Sequence, residues 1–139
     1  MDLSLSLPDI PLTYEEIYTE IKTIEDDFYN QKIEYLKDMK TRIYKQFVEK
    51  FEGIKETNDN NLNMIRLMNL KYWIESRIKI FEDFIEGRNN YLSQKNPIYP
   101  LKQKITSLEV EFLDSLMKDF KIRLENVEKL LQKCYQMNL

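Results

Sequence analysis

The chain has few places to turn. Only two Gly and four Pro are spread through its 139 residues, and these are the residues that most readily end or bend a regular element. The elements between them must therefore be long. The stretch Leu62 to Ile85 shows this most clearly: it holds no Pro or Gly and carries the single Trp, Trp73. Its residues Leu67, Leu70, Ile74, Ile78, Phe81 and Ile85 recur at steps of three and four, which is one helical stripe. Ile65, Met68 and Tyr72 form a second stripe beside it. A helix exposed on one side needs only one such stripe, so this helix is expected to be wrapped by neighbours, by a partner subunit, or by both.

The flanking segments read as helices too. Residues 1–12, with Pro8 and Pro11, read as an extended lead-in. Thr13 with Glu16 has capping-box spacing, and Leu12 with Ile17 has the spacing of a hydrophobic staple, so a helix is expected to open there. Tyr14, Ile17, Ile21, Ile24 and Phe28 follow at 3-4-3-4 spacing, a seam toward another helix. A further pattern runs through Ile33, Leu36, Ile43, Phe47, Phe51 and Ile54. The register slips at Asn30-Gln31, which reads either as two helices with a kink or as one long helix. Gly53 and the polar run from Lys55 to Asn61 end this region, because Asn and Asp favour turns and caps. The central helix is expected to run to about Glu86, with Gly87 at its C′ position.

Residues 88–105 read as an 18-residue linker containing Pro97 and Pro100. Tyr91, Leu92, Ile98, Tyr99 and Leu101 make it a crossover that packs across the helices, with a binding loop as the alternative. Thr106 with Glu109, and Ile105 with Val110, repeat the start pattern of the first helix. The stripe from Leu108 through Phe112, Leu116 and Phe120 to Cys134 then gives a last helix of about 28 residues. The expected fold is all-α: an elongated bundle of about four long helices forming one domain over residues 13–139, with the Pro-containing linker before the last.

Residue chemistry excludes much. With no histidine in the chain, a Ser-His-Asp triad, a Cys-His pair and a His-based metal site are ruled out. Neighbouring carboxylates such as Glu25, Asp26 and Asp27, or Glu82 and Asp83, point different ways on a helix and read as solvated faces. Gly53 and Gly87 stand alone, so no phosphate-cradling loop exists. Neither a cofactor nor enzymatic activity is expected. The net charge of −3 comes from 21 basic and 24 acidic residues that are interspersed, which argues against binding driven by bulk charge to nucleic acid. The bases of the central helix (Arg66, Lys71, Arg77, Lys79 and Arg88) are offset by Glu75, Glu82, Asp83 and Glu86. The lone Cys134 permits no internal disulfide and fits a reducing compartment. The N-terminus lacks the basic start and apolar core of a signal peptide, and no apolar run approaches the roughly 20 residues of a membrane span. An intracellular protein is expected.

Three stretches resemble the helical A-domain of GINS proteins, the small subunits of the replicative helicase assembly in archaea and eukaryotes. They are LTYEEIYTEIKTIEDDF (Leu12 to Phe28), IRLMNLKYWIESRIKIFEDF (Ile65 to Phe84) and ITSLEVEFLDSLMKDFKIRLENV (Ile105 to Val127). Their order and spacing are similar to the subunit type that places its helical domain first, the archaeal fifty-one or fifteen type. In that type a small β-domain usually follows, whereas this chain shows no strand-like alternation up to Leu139. The resemblance implies a non-catalytic scaffold in the cytoplasm of an archaeon or a eukaryotic nucleus. Such a scaffold would pack against related subunits in a homo- or hetero-oligomer, as in a dimer of dimers, and bridge the replicative helicase to a nuclease-like or polymerase-associated factor. Trp73, Ile74, Phe81, Phe112, Leu116 and Tyr99 are the candidate partner-binding residues, with Trp73 either a core anchor or an interface hot spot. A second reading is a stand-alone helical nucleic-acid-binding or regulatory protein of a virus or plasmid. A third is an enzyme using only carboxylates and lysine.

Overall fold

The computed structural model describes residues 13–55, 58–94 and 99–137. They form three α-helices and no strand: α1, Tyr14–Lys55; α2, Asn60–Leu92; α3, Pro100–Met137. The all-α class is as expected, but there are three helices and not about four. Residues Asn30 and Gln31 lie inside one 42-residue helix. No Pro or Gly breaks the backbone there, and both sides of the register slip are held to α3. The Lys104 ammonium lies 4.3 Å from the centre of the Tyr29 ring, and Lys32 pairs with Glu109 at 3.3 Å.

Each start has an identifiable local cause. The Thr13 hydroxyl accepts the Glu16 N–H at 3.2 Å and its carbonyl accepts the Ile17 N–H at 3.0 Å, so the cap expected for the first helix forms. Its staple partner Leu12 lies outside the described residues. At α2 the Asp59 carboxylate accepts the N–H groups of Asn61 and Leu62 at 3.0 and 3.2 Å. Pro100 opens α3, where its missing N–H costs nothing.

Two expected boundaries move. Gly87 does not end α2: among the described residues no glycine has a positive φ, and the helix continues to Leu92, with Ser93 as its C-cap. Arg88, one residue on, holds that extra turn by donating to the Glu109 carboxylate on α3 at 2.8 Å. Thr106 does not start α3 either. It lies two turns inside the helix, buried, and its hydroxyl donates to the Lys102 carbonyl at 2.7 Å. The expected 18-residue linker is thereby consumed from both ends. Tyr91 and Leu92 belong to α2, Leu101 belongs to α3, and Ile98 lies outside the described residues.

Helices α2 and α3 form an antiparallel hairpin that carries the core. The Asn60 side-chain amide donates to the Cys134 carbonyl at 3.1 Å, joining the start of α2 to the end of α3. Leu70, Ile74 and Phe81 of α2 meet Leu116, Phe120 and Val127 of α3. Phe120 is fully buried and lies at the three-helix crossing: the ring centres of Phe81, Trp73, Tyr44 and Phe47 lie 5.4, 5.8, 6.0 and 6.4 Å away. Aromatic clusters of this kind fill wide gaps between helices that have no alanine to bring them close. Helix α1 crosses this hairpin parallel to α3 and contributes Phe47 and Ile54 to the core. Among the described residues no helix is long and apolar enough to cross a membrane.

Candidate functional site

The six sequence-predicted partner-binding residues do not share one surface. Ile74, Phe81 and Leu116 are buried in the core, so they have no side-chain surface to give a partner in this structure. Phe112 is half-buried against the same core, while Tyr99 is exposed ahead of α3. Trp73 is half-buried and two-faced. Its ring meets Phe47 and Phe120, and its outer side lies in a notch between α1 and α2 lined by Gln46, Glu49, Lys50 and Arg77. The Arg77 guanidinium and the Lys50 ammonium lie 5.4 and 5.6 Å from the indole centre, so this rim is already satisfied by cation–π contacts within the chain.

The surplus apolar face of the central helix is likewise mostly used internally. Its first stripe is buried by α1 and α3 at Leu67, Leu70, Ile74, Ile78 and Phe81 and half-buried at Ile85. Only Ile65 and Tyr72 of the second stripe remain exposed. The large unpartnered face lies elsewhere, on the first half of α1.

Every residue from Thr13 to Phe28 is exposed. The apolar seam in that span, Tyr14, Ile17, Ile21, Ile24 and Phe28, is between 44 % and 94 % exposed. The cause is a difference in reach. Tyr29 lies beside Lys104 and Tyr44 beside Asp119, so α1 and α3 run side by side in a fixed register. Because α3 begins at Pro100, the first turns of α1 extend past its end. From Tyr14 to Phe28 this overhang spans roughly 20 Å. Its root opens into a cleft of about 580 Å³ whose apolar walls are Phe28 and Tyr35 of α1 and Leu101 and Ile105 of α3. The sequence did signal this seam as one that faces another helix; among the described residues no helix covers it.

Charge sets the overhang apart as well. Residues 14–28 hold six carboxylates (Glu15, Glu16, Glu20, Glu25, Asp26 and Asp27) against one lysine, Lys22. Among the described residues no salt bridge engages any of the seven, whereas the rest of α1 is laced with them: Lys32 to Glu109, Lys37 to Glu34 and Arg42 to Asp38.

The remaining polar clusters hold the helices together. Glu109 receives both Lys32 of α1 and Arg88 of α2, and so joins all three helices at one point. The Tyr44 hydroxyl donates to the Asp119 carboxylate, which also accepts the Arg123 Nε at 2.8 Å. Burial, aided by the bond to Asp119, pushes the Tyr44 hydroxyl up to about 12. Burial alone would raise the Asp119 carboxyl, but the bonds from Tyr44 and Arg123 outweigh it and hold that carboxyl below its ordinary range. Lys32 and Glu109 of the first cluster also line the open cleft at the root of the overhang. Among the described residues no group of three or more Cys, Asp or Glu is placed to hold a metal ion. Comparison of the chain with protein-family models, with curated proteins and with solved structures finds no match.

Proposed function

We propose that this protein is a non-catalytic interaction subunit that docks a partner along the first half of α1. The observation that carries the reading is a change of exposure along one helix: the apolar pattern of the second half of α1 is buried at Leu36, Phe47 and Ile54, while the seam of its first half is exposed at Tyr14, Ile17, Ile21, Ile24 and Phe28. A contiguous apolar face of this kind marks an interaction site. The three stretches that resemble GINS proteins supply the setting, a DNA-replication assembly in which related subunits and the replicative helicase are the partners. The replication part of the proposal rests on that resemblance alone.

The charge of the same face disfavours nucleic acid as the occupant. Six carboxylates against one lysine repel a phosphate backbone, so the stand-alone nucleic-acid-binding reading finds no support there.

The test is affinity capture from an extract of the source cells, with the full chain and its Ile21→Asp variant as parallel baits. The proposal expects specific proteins to be retained by the parent chain and lost by the variant, with GINS-type subunits among them if the replication setting is right. Identical sets on both baits would contradict the docking face. A differential set without replication proteins would contradict the setting alone.

A further inference from the structure

We infer that the occupant of the α1 overhang is an amphipathic helix from another protein, with an apolar stripe flanked by lysine and arginine. This rests on the overhang being a docking surface and adds the chemistry of what docks.

The shape of the site comes from the fold. Over residues 29–44, α1 is accompanied by α3 in a register fixed by Tyr29 with Lys104, Lys32 with Glu109 and Tyr44 with Asp119. Ahead of Phe28 no helix among the described residues continues that track along α1, because α3 starts at Pro100. A helix entering the track would lie on the line of α3 and bring its end to the cleft between Phe28, Leu101 and Ile105. Its knobs would meet Ile17, Ile21 and Ile24, which carry the 3-4 spacing of a helix–helix seam.

Charge selects among helices. Glu20 lies three residues after Ile17 and four before Ile24, and Glu25 lies four after Ile21 and three before Phe28. On a helix those are the adjacent positions, so a carboxylate borders the stripe on each side. Neither is engaged by a salt bridge among the described residues, and the only base within residues 14–28 is Lys22. A partner helix with basic flanks would pair with Glu20 and Glu25. A second copy offering its own overhang would set carboxylates against carboxylates, at a cost in affinity. The exposed Ile65 and Tyr72 of a second copy fit no better, because the lysine beside them, Lys71, is shared between Glu75 and Glu128.

The experiment uses the full chain and two designed helical peptides that share one Leu/Ile stripe and differ only in their flanks, Lys/Arg in one and Glu in the other. Binding is read by fluorescence anisotropy, and association of the chain itself by sedimentation. The expected result is that the basic peptide binds about tenfold tighter or better at low salt. Glu20→Lys with Glu25→Lys should reverse that preference, and Ile21→Asp should abolish binding. Both sites are exposed, so thermal melts of the variants should match the parent and separate binding from folding. Equal affinity for both peptides, lost with Ile21→Asp, would overturn the charge assignment and leave the docking face standing. A chain that sediments as a dimer and is dissociated by Ile21→Asp would overturn it in favour of a second copy. Failure of the basic peptide to bind, or binding indifferent to Ile21→Asp, would overturn it outright, and the latter would also remove the docking face.

Discussion

Helix α1 contains its own control. From Leu36 to Ile54 the apolar pattern of α1 presses into the α2–α3 hairpin, where Phe47, stacked on Phe51 of its own helix, meets Trp73 and Phe120 and Ile54 is buried. From Tyr14 to Phe28 an apolar stripe of the same kind is exposed, and only Phe28, at its end, reaches the cleft with Leu101 and Ile105. Amino-acid type does not separate the two halves, since both use Ile, Phe and Tyr. They differ in what runs alongside: α3 accompanies α1 from Phe28 onward, and among the described residues no helix lies beside the turns ahead of it. Periodicity therefore says which face of a helix seeks a partner. Whether the chain itself provides one depends on the lengths and register of its other helices.

Substitutions can break this comparison or sharpen it. The largest contrast is between two phenylalanines of α1. Phe47→Ala should destabilise the fold by about 3–5 kcal/mol, because it empties a packed aromatic site, whereas Phe28→Ala should change stability by less than about 0.5 kcal/mol. Paired chemical-denaturation curves check this. Comparable losses at both positions would mean that the overhang is packed in solution.

The next effect concerns the polar clasp of the buried half. Asp119→Ala removes the acceptor of Tyr44 and Arg123. It should cost about 1 kcal/mol, discounted for the partial exposure of these side chains. The pH dependence follows from the two shifts. The Asp119 carboxyl is lowered on folding, so its contribution is present above the ordinary value of 3.8 and fades as pH falls below it. The Tyr44 hydroxyl is raised from 10.0 to about 12, so its contribution is present below pH 10.0 and is lost as pH rises toward 12. Phenolate absorbance should show one tyrosine titrating last in the parent chain, and Asp119→Ala should return it toward the others.

The smallest effect is a gain. A methyl group at Gly87 would meet nothing within 4 Å, and the residue lies inside α2 without a positive φ. Gly87→Ala should therefore stabilise the hairpin by about 0.5–1 kcal/mol, readable as a higher melting temperature. Because α2 does not accompany the overhang, the melting of the hairpin should rise while the exposure of residues 14–28 stays the same.

The all-helical class, the Thr13 cap and the main stripe of the central helix were all legible in the sequence, because each depends on residues only a few positions apart. The errors arose where local patterns compete. Thr106 and Glu109 have capping-box spacing, yet Pro100 six residues earlier is the better helix opener, and the Thr106 hydroxyl satisfies itself within the helix. Gly87 marks a plausible end, but Arg88 bound to Glu109 extends α2 by another turn. The candidate site was only half legible. The seam of the first helix was visible, but the sequence assigned the surplus apolar surface to the central helix. That assignment fails at Ile74 and Phe81, which this chain encloses by itself. How far α3 reaches along α1 is a long-range property that no short window contains.

The most direct test of the account is hydrogen exchange of the full chain, resolved along α1 at several protein concentrations. Amides from Tyr14 to Phe28 should exchange orders of magnitude faster than those from Leu36 to Ile54. That difference should persist on dilution and should disappear when a partner occupies the overhang. Equal protection of both halves in the isolated chain, at every concentration, would contradict it.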